Sequence, residues 1–215
     1  MSTAEYVKAE ELRFEILNAR HDLSKFDCRK DDEMGLNEFI HDEALQFQKE
    51  NLGTTYLFFH NDAIVGFATL AMSQIEIKQT KDRLPFETDI RDYPALMIGR
   101  LATGNDYRGR HVGLNISLWC VSKAKQLSGE VGCRLIIILT NDKKSDFYEN
   151  CGFEMVPKYE KSQRSGCISR FHKIKNREPT DLTEPAVLSV FASLCRGGGR
   201  LAEQRGLLLS GKFVN

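Results

Sequence analysis

Tyr107-Arg108-Gly109-Arg110-His111-Val112-Gly113 follows a strand-like run and opens a long amphipathic stretch, and that context decides the fold. A Gly- and Arg-rich turn at a helix start offers backbone N–H groups without intrahelical partners, here beside positive side chains. Such a turn can hold a phosphate or pyrophosphate; the plainer reading is a strand-to-helix turn with solvated arginines. It is not a nucleotide P-loop, because no Gly-Lys-Ser/Thr closes it. Nor is it the dinucleotide fingerprint, because Arg110 and His111 occupy glycine slots.

Outward from this turn, Ala95 to Thr103 (ALMIGRLAT) reads as a strand. Val112, Ile116, Trp119, Cys120, Ala124 and Leu127 lie on one stripe, which predicts an amphipathic helix. Cys133 to Thr140 (CRLIIILT) is almost continuously apolar, as befits a strand covered on both faces. A short helix follows through Glu149, ended by Gly152 where a positive φ suits the cap. Phe153 to Val156 begins another strand, and Cys167 to Ile174 is expected to close the sheet.

Upstream, Glu11 to Leu17 reads as an opening strand and the run from about Met34 to Phe47 has helical spacing. Thr54 to His60 and Ile64 to Ser73 form a hairpin around His60-Asn61-Asp62-Ala63. Residues 74–94 read as polar and irregular. The whole is an α/β (α+β) chain on a mixed sheet, its second half strand–helix–strand–helix–strand with right-handed crossovers.

With 215 residues and 41% apolar composition, the chain can bury one medium-sized core. Residues 1–175 form the predicted domain and 176–215 an appendage, broken by Arg196-Gly197-Gly198-Gly199-Arg200. Its apolar stretches, Val187 to Leu194 and Leu207 to Val214, need a surface, either the domain itself or a homodimer partner. A formal charge of zero gives no bulk attraction for nucleic acid or membrane. The charge is nonetheless uneven: residues 31–50 carry seven acids against Lys49, and 157–177 seven bases against Glu160. The six cysteines show neither CxxC nor zinc-like spacing, so no metal site is expected. No signal-like start or membrane-length apolar run is present, which leaves the cytoplasm as the expected location.

Taken with Asn141, Ser145, Phe147-Tyr148 and Cys151-Gly152-Phe153, the turn at 107–113 resembles the GNAT superfamily of N-acetyltransferases across roughly residues 8–175. Arg108 and Gly113 match the ends of the family's Gln/Arg-x-x-Gly-x-Gly/Ala pyrophosphate loop, while His111 stands at its middle glycine. The second region matches Asn-x-x-x-Ala-x-Phe-Tyr-x-x-x-Gly-Phe, with Ser145 in the alanine slot. Phe26-Asp27-Cys28, Leu36-Asn37-Glu38-Phe39-Ile40 and Ile98-Gly99-Arg100-Leu101-Ala102-Thr103 are similar to the branch of acetyltransferase toxins that modify the α-amine of aminoacyl-tRNA.

The resemblance implies a fold with splayed central strands and acetyl-CoA as acyl donor. Backbone groups of Leu101, Ala102 and Thr103 would pair with the pantetheine amides. Arg108, Gly109, Arg110, His111, Val112 and Gly113 would hold the pyrophosphate, with Asn141 and Ser145 completing the cofactor site. Tyr148 is the implied catalytic donor to the leaving thiolate; its plain reading is a core residue. Asn141 either orients the cofactor or caps a helix. His111 has two readings, a phosphate contact when protonated or a Cβ that re-routes the loop slightly. Arg100 could meet an anionic group of the acceptor. No general base announces itself among Asp106, Glu76 and His60, which leans toward an amine of low pKa. The acceptor stays open between aminoacyl-tRNA, a protein amine and a small amine, and a non-catalytic acyl-CoA-binding or protein-interaction module on the same fold is the alternative.

Overall fold

The computed structural model describes residues 5–79, 83–140, 142–155 and 170–174. Four antiparallel strands come first: β1 (Arg13–Ile16), β2 (Thr54–His60), β3 (Ala63–Glu76) and β4 (Asp92–Thr103). Then follow β5 (Leu135–Thr140), β6 (Phe153–Met155) and β7 (Arg170–Ile174), and the seven make one sheet in the order β1-β2-β3-β4-β5-β7-β6. Only the β4–β5 step is parallel, and a crossover helix, α3 (Val112–Glu130), makes the connection. The helices before it are α1 (Leu36–Glu38) and α2 (Ala44–Lys49), joined by a π turn over Phe39–Glu43; α4 (Ser145–Asn150) follows β5.

Alternation within each strand supplies both faces of the sheet. Phe58, Ile98, Ile136 and Ile138 pack with Ile116, Trp119 and Cys120 of α3. Leu57, Phe59 and Phe67 point the other way, onto Phe39, Ile40 and Ala44. At the far end of β3, β4 and β5, a third cluster joins Ile75, Tyr93, Ala95, Leu135 and Ile137. The almost continuously apolar reading of Cys133 to Thr140 therefore reflects burial on both faces of β5. The hairpin turn Asn61-Asp62 takes φ of 46° and 62°, and Gly152 takes 86°, the left-handed values these turns require.

Three expectations need correction. The stretch 74–94 is not irregular throughout, because β3 runs to Glu76 and β4 begins at Asp92, with Ile75 opposite Tyr93. Two buried apolar side chains pair there and are hard to see among polar neighbours. The helical run from Leu36 is interrupted by the π turn, since periodicity alone does not reveal one extra residue per turn. β7 does not close the sheet: it lies between β5 and β6, which leaves β6 at the edge. The appendage at 176–215 and most of the basic run at 157–177 lie outside the described residues.

Among the described residues, no helix is long and apolar enough to cross a membrane and no His/Cys/Asp/Glu cluster could hold a metal. Cys28, Cys120, Cys133 and Cys151 are buried free thiols.

Trp119 ties α3 to the first half of the sheet. Its ring lies 4.9, 4.7 and 5.1 Å from those of Phe14, Tyr56 and Phe58, with 4% of the residue exposed. Trp119→Ala should lower unfolding stability by about 3–5 kcal/mol in urea titrations, through lost burial plus the cavity left behind. A loss below about 1 kcal/mol would show that α3 is held by other contacts.

Candidate active site

The site begins with a broken pairing. β4 pairs with β5 only from Ala95↔Leu135 to Ile98↔Ile138. At that point Gly99 is skipped in the β3–β4 register, where Leu70 faces Ile98 and Thr69 faces Arg100. The extra residue is a bulge, and a bulge bends its strand. Beyond it, Leu101, Ala102 and Thr103 stay with β3 at Ala68, Phe67 and Gly66, whereas Leu139 and Thr140 stay with β7. A cavity of about 400 Å³ occupies the gap, lined by Gly99–Thr103 on one side, Ile138–Thr140 on the other, and Phe147 and Tyr148 of α4. One backbone edge of Leu101–Thr103 thus faces the cavity instead of a neighbouring strand.

The cavity's end is the loop 104–113. Asn105–Tyr107 form one 3-10 turn after Gly104. Gly109 then turns left-handed at φ 73°, and so does His111 at 63°. The α3 ladder begins with Asn115 N–H donating to the His111 carbonyl at 3.0 Å, so the N–H groups of residues 112–114 precede it. Gly113 is needed for close approach: a Cβ there would lie 3.1 Å from Thr103 Oγ1 and 3.2 Å from Phe147 Cζ. A side chain there would make Thr103 or Phe147 give by a few tenths of an ångström where the start of α3, the end of β4 and α4 converge.

His111 thus accepts the conformation that a glycine would adopt freely, at a cost of roughly 1–2 kcal/mol for a residue with a Cβ. The N-terminal segment braces it, a contribution the sequence did not reveal. The Tyr6 ring stacks on the His111 ring at 3.9 Å and 8°. Val7 N–H donates to the Arg110 carbonyl at 3.0 Å, Arg110 Nε donates to the Glu5 carbonyl at 2.9 Å, and Asn115 Nδ2 donates to the Val7 carbonyl at 2.9 Å.

Leu101, Ala102, Thr103, Arg108, Gly109, His111, Val112, Gly113 and Tyr148 all line the cavity. Arg110 does not: its guanidinium is drawn to the N-terminal segment and stacks 4.9 Å from the Tyr107 ring centroid. Ser145 is buried at the start of α4 and is also absent from the lining, with Oγ 3.5 Å from Asp146 Oδ1. Asn141 lies outside the described residues. Arg108 reaches the cavity but is engaged by Asp31 Oδ2 at 3.0 Å and by the Lys30 carbonyl.

That engagement exposes a wall that sequence reasoning missed. Asp31, Asp32 and Glu33 line the cavity together with Cys28, Met34 and Leu36. Asp32 accepts from the N–H groups of Met34 at 3.1 Å and Asn37 at 2.8 Å, which sets the start of α1. Glu33 pairs with Lys143, raising the lysine pKa, first by the hydrogen bond and then by its charge. The only signal in the sequence was the acidic run, whose usual reading is a solvated face. Cys28 in the same wall has its thiol pushed up to about 12 by burial and then by Asp32 and Asp27, and so kept protonated.

The Tyr148 ring sits between Phe147 at 4.9 Å and Phe153 at 5.7 Å, with 7% of the residue exposed. Burial, reinforced by the thiols of Cys151 and Cys120, pushes its phenol pKa up. Such a group keeps its proton across neutral pH and so retains an O–H donor. Arg100 lies half-buried in the wall, 5.1 Å from the Phe39 ring centroid, its Nη1 donating to the Gly99 carbonyl at 2.8 Å and its buried Nε without an acceptor among the described residues.

None of the three conceivable bases lines the cavity. Glu76 pairs with Asp92, seven residues before Gly99 and roughly 23 Å along the strand. His60 closes β2 with its ring against Tyr107 at 5.9 Å and its Nε2 3.8 Å from Glu11. Asp106 is exposed on the 3-10 turn.

Several solved structures share this architecture. AtaT complexed with acetyl-methionyl-tRNAfMet is 22% identical with a TM-score of 0.61, over 74% of this chain and 93% of that one. A point mutant of KacT is 19% identical with a TM-score of 0.60, over 76% and 95%. A structure described as a bacterial toxin is 10% identical with a TM-score of 0.64, over 85% and 94%. At these identities the likeness establishes the fold. The search of curated proteins found no match. The acetyltransferase (GNAT) family model matches residues 17–153, which span β2 to β5, the loop at 104–113 and Tyr148. The chain therefore belongs to the acetyltransferase (GNAT) family, and its chemistry is that of an acetyl-CoA-dependent N-acetyltransferase.

Proposed function

We propose that this chain acetylates the α-amine of an aminoacyl-tRNA by direct attack in a ternary complex. The observation that carries the reading is the cleft opened beyond Ile98, where the strand edge parted from β5, the helix start and Tyr148 of α4 line one cavity. Leu101, Ala102 and Thr103 would receive the pantetheine amides as a strand receives a neighbour. The helix start at 111–113 would receive the pyrophosphate, assisted by Arg108. The amine nitrogen bonds to the carbonyl carbon, the C–S bond breaks, and its electron pair leaves on sulfur. The proton lost by the attacking nitrogen passes to water, and the Tyr148 hydroxyl donates a hydrogen bond to the developing thiolate.

Two observations favour an α-amine. Asp106, Glu76 and His60 do not line the cavity, and the carboxylates that do are engaged, Asp31 by Arg108, Asp32 by the N–H groups of Met34 and Asn37, and Glu33 by Lys143; an α-amine with pKa about 8 is partly neutral at pH 7 without such a base, unlike a lysine amine at about 10.4. AtaT, similar in fold, is recorded with acetyl-methionyl-tRNAfMet. Arg100 supplies a cation within the cavity wall suited to an acceptor phosphate. The buried thiols suit a reducing cytoplasm.

The direct test is thiol release from acetyl-CoA against charged tRNA, free amino acids, peptides and small amines. The proposal expects release with aminoacyl-tRNA and little with lysine side chains; preference for a lysine ε-amine would overturn the acceptor. Tyr148→Phe should lower turnover roughly 10²-fold with acetyl-CoA affinity nearly unchanged. Because the phenol pKa is raised, wild-type turnover should show no fall centred near about pH 10, where a free phenol ionises. A fall there that disappears in Tyr148→Phe would show an ordinary, exposed phenol.

Arg108 gives a second test. Its side chain is 30% exposed and that of Asp31 is 68%, so their ion pair is worth at most about 1 kcal/mol. Incoming pyrophosphate would take the arginine from Asp31. Asp31→Asn should then tighten acetyl-CoA binding by about two- to fivefold in calorimetry, and Arg108→Ala should weaken it. Weaker binding in Asp31→Asn would show that the carboxylate orients Arg108 instead of competing for it.

A further inference from the structure

We propose that Tyr6 is a positioning residue for the acyl-donor site, clamping the loop that carries His111. The inference rests on the reading that the helix start at 111–113 receives the pyrophosphate. His111 stands left-handed at φ 63° within the cavity lining, a conformation that L residues adopt rarely and histidine more often than most. Its N–H and those that follow point as required only while that conformation holds; relaxation to negative φ would rotate the peptide groups on both sides of the residue. Nothing in the backbone of a non-glycine residue favours staying there.

The Tyr6 ring supplies what the backbone lacks. It lies 3.9 Å from the His111 ring and within 8° of parallel, so it covers one whole face of the imidazole. Tyr6 itself is 60% exposed, so the stack is a surface clamp and not a buried core contact. It is also anchored on the far side. The adjoining Val7 is 2% exposed, its N–H donates to the Arg110 carbonyl at 3.0 Å, and its carbonyl accepts from Asn115 Nδ2 at 2.9 Å. Tyr6 is thereby fixed to the loop and to the first turn of α3 at once. In this chain a stacked ring from the N-terminal segment does the work that a glycine does by having no side chain.

The test is a double-mutant cycle on the full chain, reading acetyl-CoA affinity by calorimetry, kcat and KM by thiol release, and the melting temperature. Tyr6→Ala should weaken acetyl-CoA binding and raise its KM by about five- to tenfold, with kcat within about twofold. Tyr6→Phe keeps the ring and should retain wild-type affinity. In a His111→Gly background, where the left-handed conformation needs no clamp, Tyr6→Ala should change affinity by less than about twofold. Equal losses from Tyr6→Ala in both backgrounds would overturn the clamp and mark Tyr6 as a direct contact or a general fold element. No loss in the His111 background would overturn it as well. A wild-type protein that bound no acetyl-CoA would overturn the donor-site reading and the clamp together, whereas wild-type binding with additive substitutions would overturn the clamp alone.

Discussion

The parting of β4 from β5 after Ile98 is the constraint on which the rest of the site depends. A buried strand edge carries N–H and C=O groups that must find partners, so a sheet does not open without something to satisfy or hydrate the exposed edges. Here Gly99 adds one residue to β4 at the last rung shared with β5, and the two strands then follow different neighbours. At the end of β4, Gly113 lets the start of α3 approach Thr103 and Phe147 closely. Two glycines of different kinds thus frame one cavity, the first lengthening a strand and the second removing a side chain. Everything proposed for the chemistry uses the backbone edge that this arrangement frees.

Electrostatics at the mouth set the conditions for anion entry. Two cations near the loop are already matched, Arg108 to Asp31 and Lys143 to Glu33, and Arg100 and Lys144 also line the cavity, so its acidic wall is not a bare repelling patch. Exposed pairs of this kind contribute little, and a doubly charged pyrophosphate with helix N–H donors competes well against one carboxylate. In the proposed function, the helix start therefore supplies anion contacts that the two matched pairs do not. The zero net charge of the chain is consistent with such a local device.

Much of this could be read in the chain before any coordinates. The apolar run at 135–140, the stripe along 112–127 and the glycine turns depend on local patterns, and all of them hold in the fold. The splay was legible only through family likeness, because a one-residue bulge at Gly99 leaves no periodic trace. What escaped was long-range. Arg110 looks like an anion ligand until the Glu5 carbonyl and the Tyr107 ring claim it, and Asp31 to Glu33 look solvated until the loop folds against residues 104–108. Apart from the Arg110–Tyr107 contact, sequence separations of 75 or more residues connect these groups, and no local rule spans them.

Burial gives Tyr148 a narrower role than its residue type suggests. A phenol in water and a coenzyme thiol differ by about 1.5 pKa units, close enough for proton transfer as the C–S bond breaks. Raising the phenol pKa by burial widens that gap and makes complete transfer to sulfur unfavourable. The same burial strengthens what remains, because a hydrogen bond to a developing anion gains as water is excluded. In the proposed reaction Tyr148 therefore acts as a fixed dipole aimed at the departing sulfur, and the thiolate takes its proton from solvent after leaving. Packing between Phe147 and Phe153 does this in two ways, by excluding water and by holding the ring in place. In that reaction the aromatic neighbours would position the phenol, although neither carries a group that could move a proton.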